Sequence, residues 1–107
     1  MKDMISENVI NEIKKILKEK YPDFKGVYFY GSRVKGNHRI DSDYDIVLVF
    51  DREIEWRFEK EVIYLIYDFM LKYDIVIDCT IYSEIDILDP ATPFRENVKK
   101  QGLFYAA

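Results

Sequence analysis

The stretches that decide the fold are Gly31-Ser32-Arg33-Val34-Lys35-Gly36 and Ser42-Asp43-Tyr44-Asp45, which lie between two apolar segments. Residues 27–30 form the first segment, which is aromatic and β-branched, and residues 46–50 form the second, which is apolar without alternation. Such segments are typical of strands, and a continuous apolar run indicates a strand covered on both faces. If the glycine stretch leaves the first strand and shares a ligand with the carboxylates that open the second, the strands run antiparallel.

Helical spacing of apolar residues flanks these strands on both sides. Ser6 can cap a first helix that ends at Tyr21-Pro22-Asp23, and residues 54–71 have the same spacing. Residues 73–82 predict a third strand, and residues 93–100 a last short helix. The long helix between the second and third strands suits a parallel crossover. We therefore predict an α/β (α+β) fold in which helices pack on a small mixed β-sheet.

Length and composition restrict the class of protein. The 107 residues contain no repeat and no Gly/Ser/Pro-rich linker, which predicts a single domain over residues 1–107. A net charge of -4 argues against broad attraction to nucleic acid, so direct nucleic-acid binding is not expected. The one cysteine, Cys79, rules out an internal disulfide and is expected to point into the core. No stretch reaches the roughly 18 apolar residues of a membrane helix, and the expected location is the cytoplasm.

Asp43 and Asp45 stand two residues apart at the start of the second strand. On a strand they point to the same face, with Cα atoms about 6.6 Å apart from a rise of about 3.3 Å per residue. Their oxygens can converge on one cation, and Mg²⁺ typically binds one or two carboxylates together with waters and substrate phosphates. Taken alone, aspartates at this spacing more often form a polar turn.

Gly31 and Ser32 follow the first strand directly. Glycine lets the backbone approach a phosphate closely, the turn directs amide N–H groups at the anion, and the serine hydroxyl adds a donor. The order of residues matches neither the Walker loop nor the dinucleotide-binding fingerprint. By itself, a Gly-Ser turn is more often only a turn.

A third carboxylate, Asp78, lies in the apolar run 75–81, where its charge is costly unless something satisfies it. By alternation Asp74, Val76, Asp78 and Thr80 share one face of the third strand. One further carboxylate can then face the aspartate pair from a neighbouring strand. Three convergent carboxylates can hold two divalent ions, which stabilise the attacking and leaving oxygens of an in-line phosphoryl displacement. We favour Asp78 for this position, with Asp74 as the alternative.

Together these residues resemble the DNA polymerase β nucleotidyltransferase superfamily, and specifically its minimal nucleotidyltransferase branch. That branch has the string G-S-x-A-x-G-x-x-R-x-x-S-D-x-D before an apolar strand. Seven positions of this chain match the string in register, namely Gly31, Ser32, Gly36, Arg39, Ser42, Asp43 and Asp45. The resemblance extends to residues 77–84 and to the closing residues 93–105. Val34 in place of a usual Ala and Lys35 in place of a usual Arg are mild departures.

The resemblance implies transfer of a nucleoside monophosphate, expected to be AMP from ATP, to a hydroxyl acceptor with release of pyrophosphate. It implies Mg²⁺ as the metal, with two ions at the site. Carried over by position, Gly31 and Ser32 would hold the β and γ phosphates. Asp43 and Asp45 would bind both metals, and Asp78 would complete the metal site and activate the nucleophile.

The loop between the two stretches supplies the remaining expected nucleotide-binding residues, Arg39 and Ser42. Arg39 has two open roles: it steadies the triphosphate, or it forms an ion pair with Asp41 or Asp43. His38 has no second His or Cys nearby in the sequence, which favours a solvated loop histidine over a metal ligand.

A chain of this size leaves no room for a domain that binds the acceptor, so another molecule is expected to bring it. Minimal nucleotidyltransferases of this kind commonly pair with a small helical HEPN-type protein. The resemblance therefore implies an antitoxin that neutralises such a partner by adding AMP. The alternative is a non-catalytic module that binds a nucleotide or masks a partner by contact, although retention of all three aspartate positions speaks against it.

Overall fold

The computed structural model describes residues 4–30, 44–88, 96, 98, 100 and 102–107. The elements, in chain order, are α1 (Met4–Lys20), β1 (Phe24–Tyr30), β2 (Tyr44–Phe50), α2 (Trp56–Tyr73), β3 (Ile77–Ser83), α3 (Glu84–Leu88) and β4 (Leu103–Ala106). Residues 96, 98 and 100 are also helical, in agreement with the helix predicted near the end of the chain. Among the described helices, none is both long enough and apolar enough to cross a membrane.

The four strands form one sheet in the order β3-β2-β1-β4. β1 pairs antiparallel with β2, and β2 pairs parallel with β3 through the crossover helix α2. β4 pairs antiparallel with the free edge of β1. The mixed sheet and the direction of its first three strands confirm the predicted fold class, while β4 was not predicted.

β2 lies inside the sheet, and its side chains are buried on both faces. On one face its residues Ile46, Leu48 and Phe50 pack with the apolar faces of α1 and α2 in the larger core. On the other face Val47 and Val49 pack with Ile87 of α3 and with Val98, and three tyrosines close around them: Tyr28, Tyr30 and Tyr82. The unbroken apolar run of β2 is therefore explained by burial on both sides.

Several element boundaries differ from those predicted. α1 begins at Met4, so Ser6 lies in its first turn and is not its N-cap. α2 continues to Tyr73, and Asp74 ends it in the left-handed conformation, φ 52° and ψ 51°, with its backbone N–H donating to the Met70 carbonyl. Aspartate tolerates this conformation better than most residues, which makes it an acceptable C-terminal cap. β3 consequently starts at Ile77, later than predicted.

Gly26 marks the point where β1 bends to pair with β4. The register with β2 shifts between Phe24 and Gly26, as in a β-bulge, and Gly26 has a φ of 151°. A Cβ atom at this position would lie 2.6 Å from both the Phe104 ring and the Tyr105 carbonyl oxygen. The glycine is thus required both by the backbone conformation and by the close approach of β4.

Candidate active site

A row of polar side chains crosses three neighbouring strands at one end of the sheet. Tyr30, the last residue of β1, pairs in register with Asp45 of β2. Asp45 in turn pairs in register with Asp78 of β3. Since neighbouring strands lie about 4.8 Å apart, the Asp45 and Asp78 backbones are near enough for both carboxylates to bind one cation.

The row lies on the sheet face opposite α1 and α2. By strand alternation Asp45 shares a face with Val47 and Val49, and Asp78 shares a face with Tyr82. Val47 and Val49 belong to the smaller apolar cluster, and Tyr82 packs against it. Asp45 is partly buried and Asp78 is exposed, so a ligand can reach the pair from solvent. The face that stabilises the fold with helices is therefore separate from the face that presents the carboxylates.

Asp78 and its sequence alternative Asp74 occupy different structural positions. Asp78 is the second residue of β3 and stands beside Asp45, whereas Asp74 is the exposed cap of α2 and precedes the strand. The prediction that Asp74 shares the strand face with Asp78 was wrong, because the turn after α2 uses Asp74 to end the helix. The sheet register therefore places Asp78, and not Asp74, next to Asp45.

The phenol of Tyr30 belongs to the same electrostatic environment. Burial raises the pKa of Tyr30 to about 12, and the negative charges of Asp45 and Asp78 act in the same direction. The hydrogen bond with the Thr80 side chain lowers it, as expected when a hydroxyl donates to the phenol oxygen. The phenol is therefore neutral at physiological pH and lies near both carboxylates. No sequence motif singled out Tyr30 or Thr80 as site residues, although alternation placed Thr80 on the face of Asp78, since only the strand order brings the two together.

Five of the predicted site residues lie outside the described part of the chain: Gly31, Ser32, Arg39, Ser42 and Asp43. Two described residues flank them. Tyr30 directly precedes Gly31, and Tyr44, which directly follows Asp43, is buried at the start of β2. The β1–β2 connection thus leaves and re-enters the sheet at the end where Asp45 and Asp78 stand.

The donor set of the site fits a hard divalent cation. Asp45 and Asp78 offer carboxylate oxygens, which Mg²⁺ prefers, and this ion usually keeps waters and substrate phosphates as its other ligands. Within the described residues no group of three metal-binding side chains assembles, and a third carboxylate, Asp43, lies beyond that range. Two adjacent carboxylates fit an ion that binds partly through its substrate better than an ion held in an all-protein cage.

Cys79 follows Asp78 directly but faces the other side of the sheet, where it packs against the larger core. Burial raises the pKa of its thiol to about 12, and the neighbouring charges of Asp78 and Glu59 add to this effect. A thiol with so high a pKa is a poor nucleophile at neutral pH. The structure confirms the prediction that Cys79 belongs to the core.

Comparison with known protein families gives one match that covers nearly the whole chain. The profile of the nucleotidyltransferase domain matches residues 10–105. A relative in Methanocaldococcus jannaschii, which is named provisionally as a protein adenylyltransferase, is 34% identical over 102 residues. The alignment covers 92% of this chain and 96% of that protein.

Solved structures share the fold at lower sequence identity. One chain of a toxin–antitoxin complex with AMP-PNP superposes with a TM-score of 0.65 at 21% identity, covering 88% of this chain and 69% of that chain. A nucleotidyltransferase from Sulfolobus solfataricus, also named provisionally, gives 0.63 at 20% identity, covering 92% and 77%. A chain of the complex between a tri-AMPylated Shewanella oneidensis HEPN toxin and its MNT antitoxin gives 0.59 at 18% identity, covering 92% and 70%. The chain therefore belongs to the nucleotidyltransferase domain family.

Proposed function

We propose that this nucleotidyltransferase transfers AMP from ATP, in a Mg²⁺-dependent reaction, to a hydroxyl group on a partner protein. The observation that carries the proposal is the pairing of Asp45 with Asp78 on neighbouring strands, at the end of the sheet where the Gly31–Asp43 connection leaves and returns. Adjacent like charges on a sheet repel each other and lower the stability of the fold. A pair of carboxylates on an open sheet face is therefore better explained by a role in binding a metal and a nucleotide.

The reaction that we assign to this site is an in-line displacement at the α phosphorus of ATP. The acceptor oxygen forms a bond to that phosphorus while the bond to the bridging oxygen of the β phosphate breaks, and pyrophosphate leaves with the electron pair. The proton of the acceptor hydroxyl passes to a carboxylate, and we assign this role to Asp78. Asp78 is suited to it because it is exposed at the strand edge of the row, where an acceptor can approach.

The nucleotide-binding roles follow from the sequence motif. Gly31 and Ser32 would hold the β and γ phosphates with backbone N–H groups and the serine hydroxyl. Arg39 and Ser42 are assigned to the nucleotide as well. Asp43, which stands two residues before Asp45 in the sequence, would join the described carboxylate pair.

The three aspartates Asp43, Asp45 and Asp78 would hold Mg²⁺, with two ions expected. When bound, the metal neutralises charge on the triphosphate and on the leaving pyrophosphate. The chain's own contribution is to fix the carboxylates on two adjacent strands, whose backbone hydrogen bonds and buried neighbours restrict their movement.

The choice of ATP and of a protein acceptor is supported by relatives. The name of the Methanocaldococcus jannaschii relative includes protein adenylylation, and that protein is similar over nearly its full length. Two proteins of the same fold were crystallised in toxin–antitoxin complexes, one with AMP-PNP and one with an AMPylated HEPN toxin. We infer that the partner is a small helical protein of the HEPN type and that this chain acts as its antitoxin.

The direct test is label transfer. The purified protein would be incubated with Mg²⁺, ATP labelled at the α phosphate and the product of a neighbouring gene, with ATP binding measured separately by calorimetry. We expect the label on the partner protein and its loss in Asp45→Asn, while Asp51→Asn, an exposed aspartate at the opposite end of β2, retains it. Binding of ATP without transfer to the partner or to any protein in a lysate would contradict the enzymatic proposal.

A further inference from the structure

We propose that Tyr30 is a positioning residue for nucleotidyl transfer, acting with Thr80 to hold the Asp45 and Asp78 carboxylates in place for the metal. This inference rests on the proposed function, since it concerns the same metal site. It assigns a task to two residues that lie outside the recognised motif of the family.

The position of the Tyr30 side chain follows from the sheet register. Tyr30 stands on β1 and Thr80 on β3, so their backbones are separated by two strand spacings, about 10 Å. The hydrogen bond between them therefore requires the tyrosine ring to lie across β2. By register, the line from Tyr30 to Thr80 crosses β2 between Asp45 and Val47, the next residue on that face.

The two ends of the Tyr30 side chain have different surroundings. The ring packs against the smaller apolar cluster around Val47 and Val49, which fixes its orientation. The hydroxyl lies near the charges of Asp45 and Asp78 and shares a hydrogen bond with Thr80. When the Thr80 hydroxyl is the donor of this bond, the phenol proton can be donated to a carboxylate.

The position of the Tyr30 hydroxyl can counter the repulsion between the Asp45 and Asp78 carboxylates. Two ionised carboxylates on adjacent strands repel each other, and without a restraint their side chains would turn apart. A neutral donor anchored beside both of them opposes that movement and leaves their outer oxygens available for a cation. Residues that orient metal ligands in this way typically contribute 10–100-fold to metal affinity or activity.

The test compares Tyr30→Phe and Thr80→Val with Tyr28→Phe as the matched control. Tyr28 lies two residues away on the same strand and face and packs against the same cluster, but its register partner is Val47 and not a carboxylate. For each protein, affinity for Mn²⁺ would be measured by electron paramagnetic resonance in the presence of AMP-PNP. The melting temperature and the Mg²⁺ concentration for half-maximal label transfer would be measured in parallel.

We expect Tyr30→Phe to bind Mn²⁺ about tenfold more weakly and to need correspondingly more Mg²⁺, with Thr80→Val changed in the same direction by a smaller factor. The melting temperature should change no more than in Tyr28→Phe. Mn²⁺ affinities of Tyr30→Phe and Thr80→Val within twofold of the control would overturn the inference and leave the proposed function intact. Absence of both Mn²⁺ binding and label transfer in the unaltered protein would overturn the two together.

Discussion

The two faces of the sheet are built from alternate residues of the same strands, yet they differ in chemistry. Ile46, Leu48 and Phe50 of β2 face the two long helices and are fully buried in the larger apolar core. The opposite face begins with Asp45 and continues with Val47 and Val49, under a smaller cover. One face is thus specialised for stability. The other gives up part of its apolar surface to present carboxylates.

The largest expected effect lies on the helix face. Phe50 is fully buried, and its ring contacts those of Tyr21, Phe24 and Phe58 at centroid distances of 5.7, 5.3 and 4.9 Å. We expect Phe50→Ala to lower the free energy of unfolding by about 3–5 kcal/mol, through lost burial and a cavity. Urea denaturation would measure it. Phe104→Ala on the site face, where the ring is half-exposed, should cost clearly less, and equal costs would break the comparison between faces.

Asp45→Asn tests the other face. We expect label transfer to fall about 10²–10³-fold, the size of effect seen when one electrostatic group is removed from an active site. The melting temperature should stay the same or rise slightly, because the substitution removes repulsion from Asp78. A large fall in melting temperature would instead mean that Asp45 stabilises the fold.

Cys79 sharpens the comparison because it is the sequence neighbour of Asp78 on the opposite face. Since burial raises the pKa of its thiol to about 12, alkylation by iodoacetamide near pH 8 should be about a hundredfold slower in the native protein than in denaturant. The contribution of Cys79 to the free energy of unfolding is fully present below pH ~9, where the thiol is neutral in both the folded and the unfolded protein. It is lost as the pH rises toward 12, because the unfolded protein then gains stability by ionising the thiol. Rapid labelling of the native protein would place Cys79 at a reactive site.

Gly26→Ala has the smallest of the four expected effects. The added methyl group would meet the Phe104 ring and the Tyr105 carbonyl, and the φ of 151° is unfavourable for alanine. We expect a loss of about 1–3 kcal/mol, measured by urea denaturation. Lys25→Ala, at the exposed neighbouring position, should change stability by less than about 0.5 kcal/mol. If the alanine variant at residue 26 is equally neutral, the close packing of β4 on β1 is not important for stability.

Much of the fold could be predicted because short segments of the sequence have apolar patterns that are typical of particular secondary structures. The unbroken apolar run of β2 indicated burial on both faces, and the long amphipathic helix after it indicated a parallel crossover to β3. Asp78 interrupts an apolar segment, which made its proximity to Asp45 predictable before the register was known. The sheet register now pairs it with Asp45.

Other features could not be predicted, for physical reasons that differ. β4 has only four residues, and its pairing with β1 depends on contacts between distant parts of the chain. Asp74 directly precedes an apolar run, as the first residue of a strand would, but the chain uses it to end α2. Tyr30 looked like an ordinary strand aromatic. Its relation to Thr80 depends on three strands being in register.

The sequence by itself determined which residues are candidates for the chemistry, because glycine, serine and aspartate at fixed spacing have properties that neighbouring residue types do not share. It also predicted the direction of the first three strands, through the ligand expected to be shared between the first two and through the long helix between the second and the third. Only the tertiary structure decided that Asp78 and not Asp74 stands beside Asp45, and that Tyr30 reaches across β2 to Thr80. Those relations depend on strand order and register, which arise from packing over the whole sheet and not from any local segment.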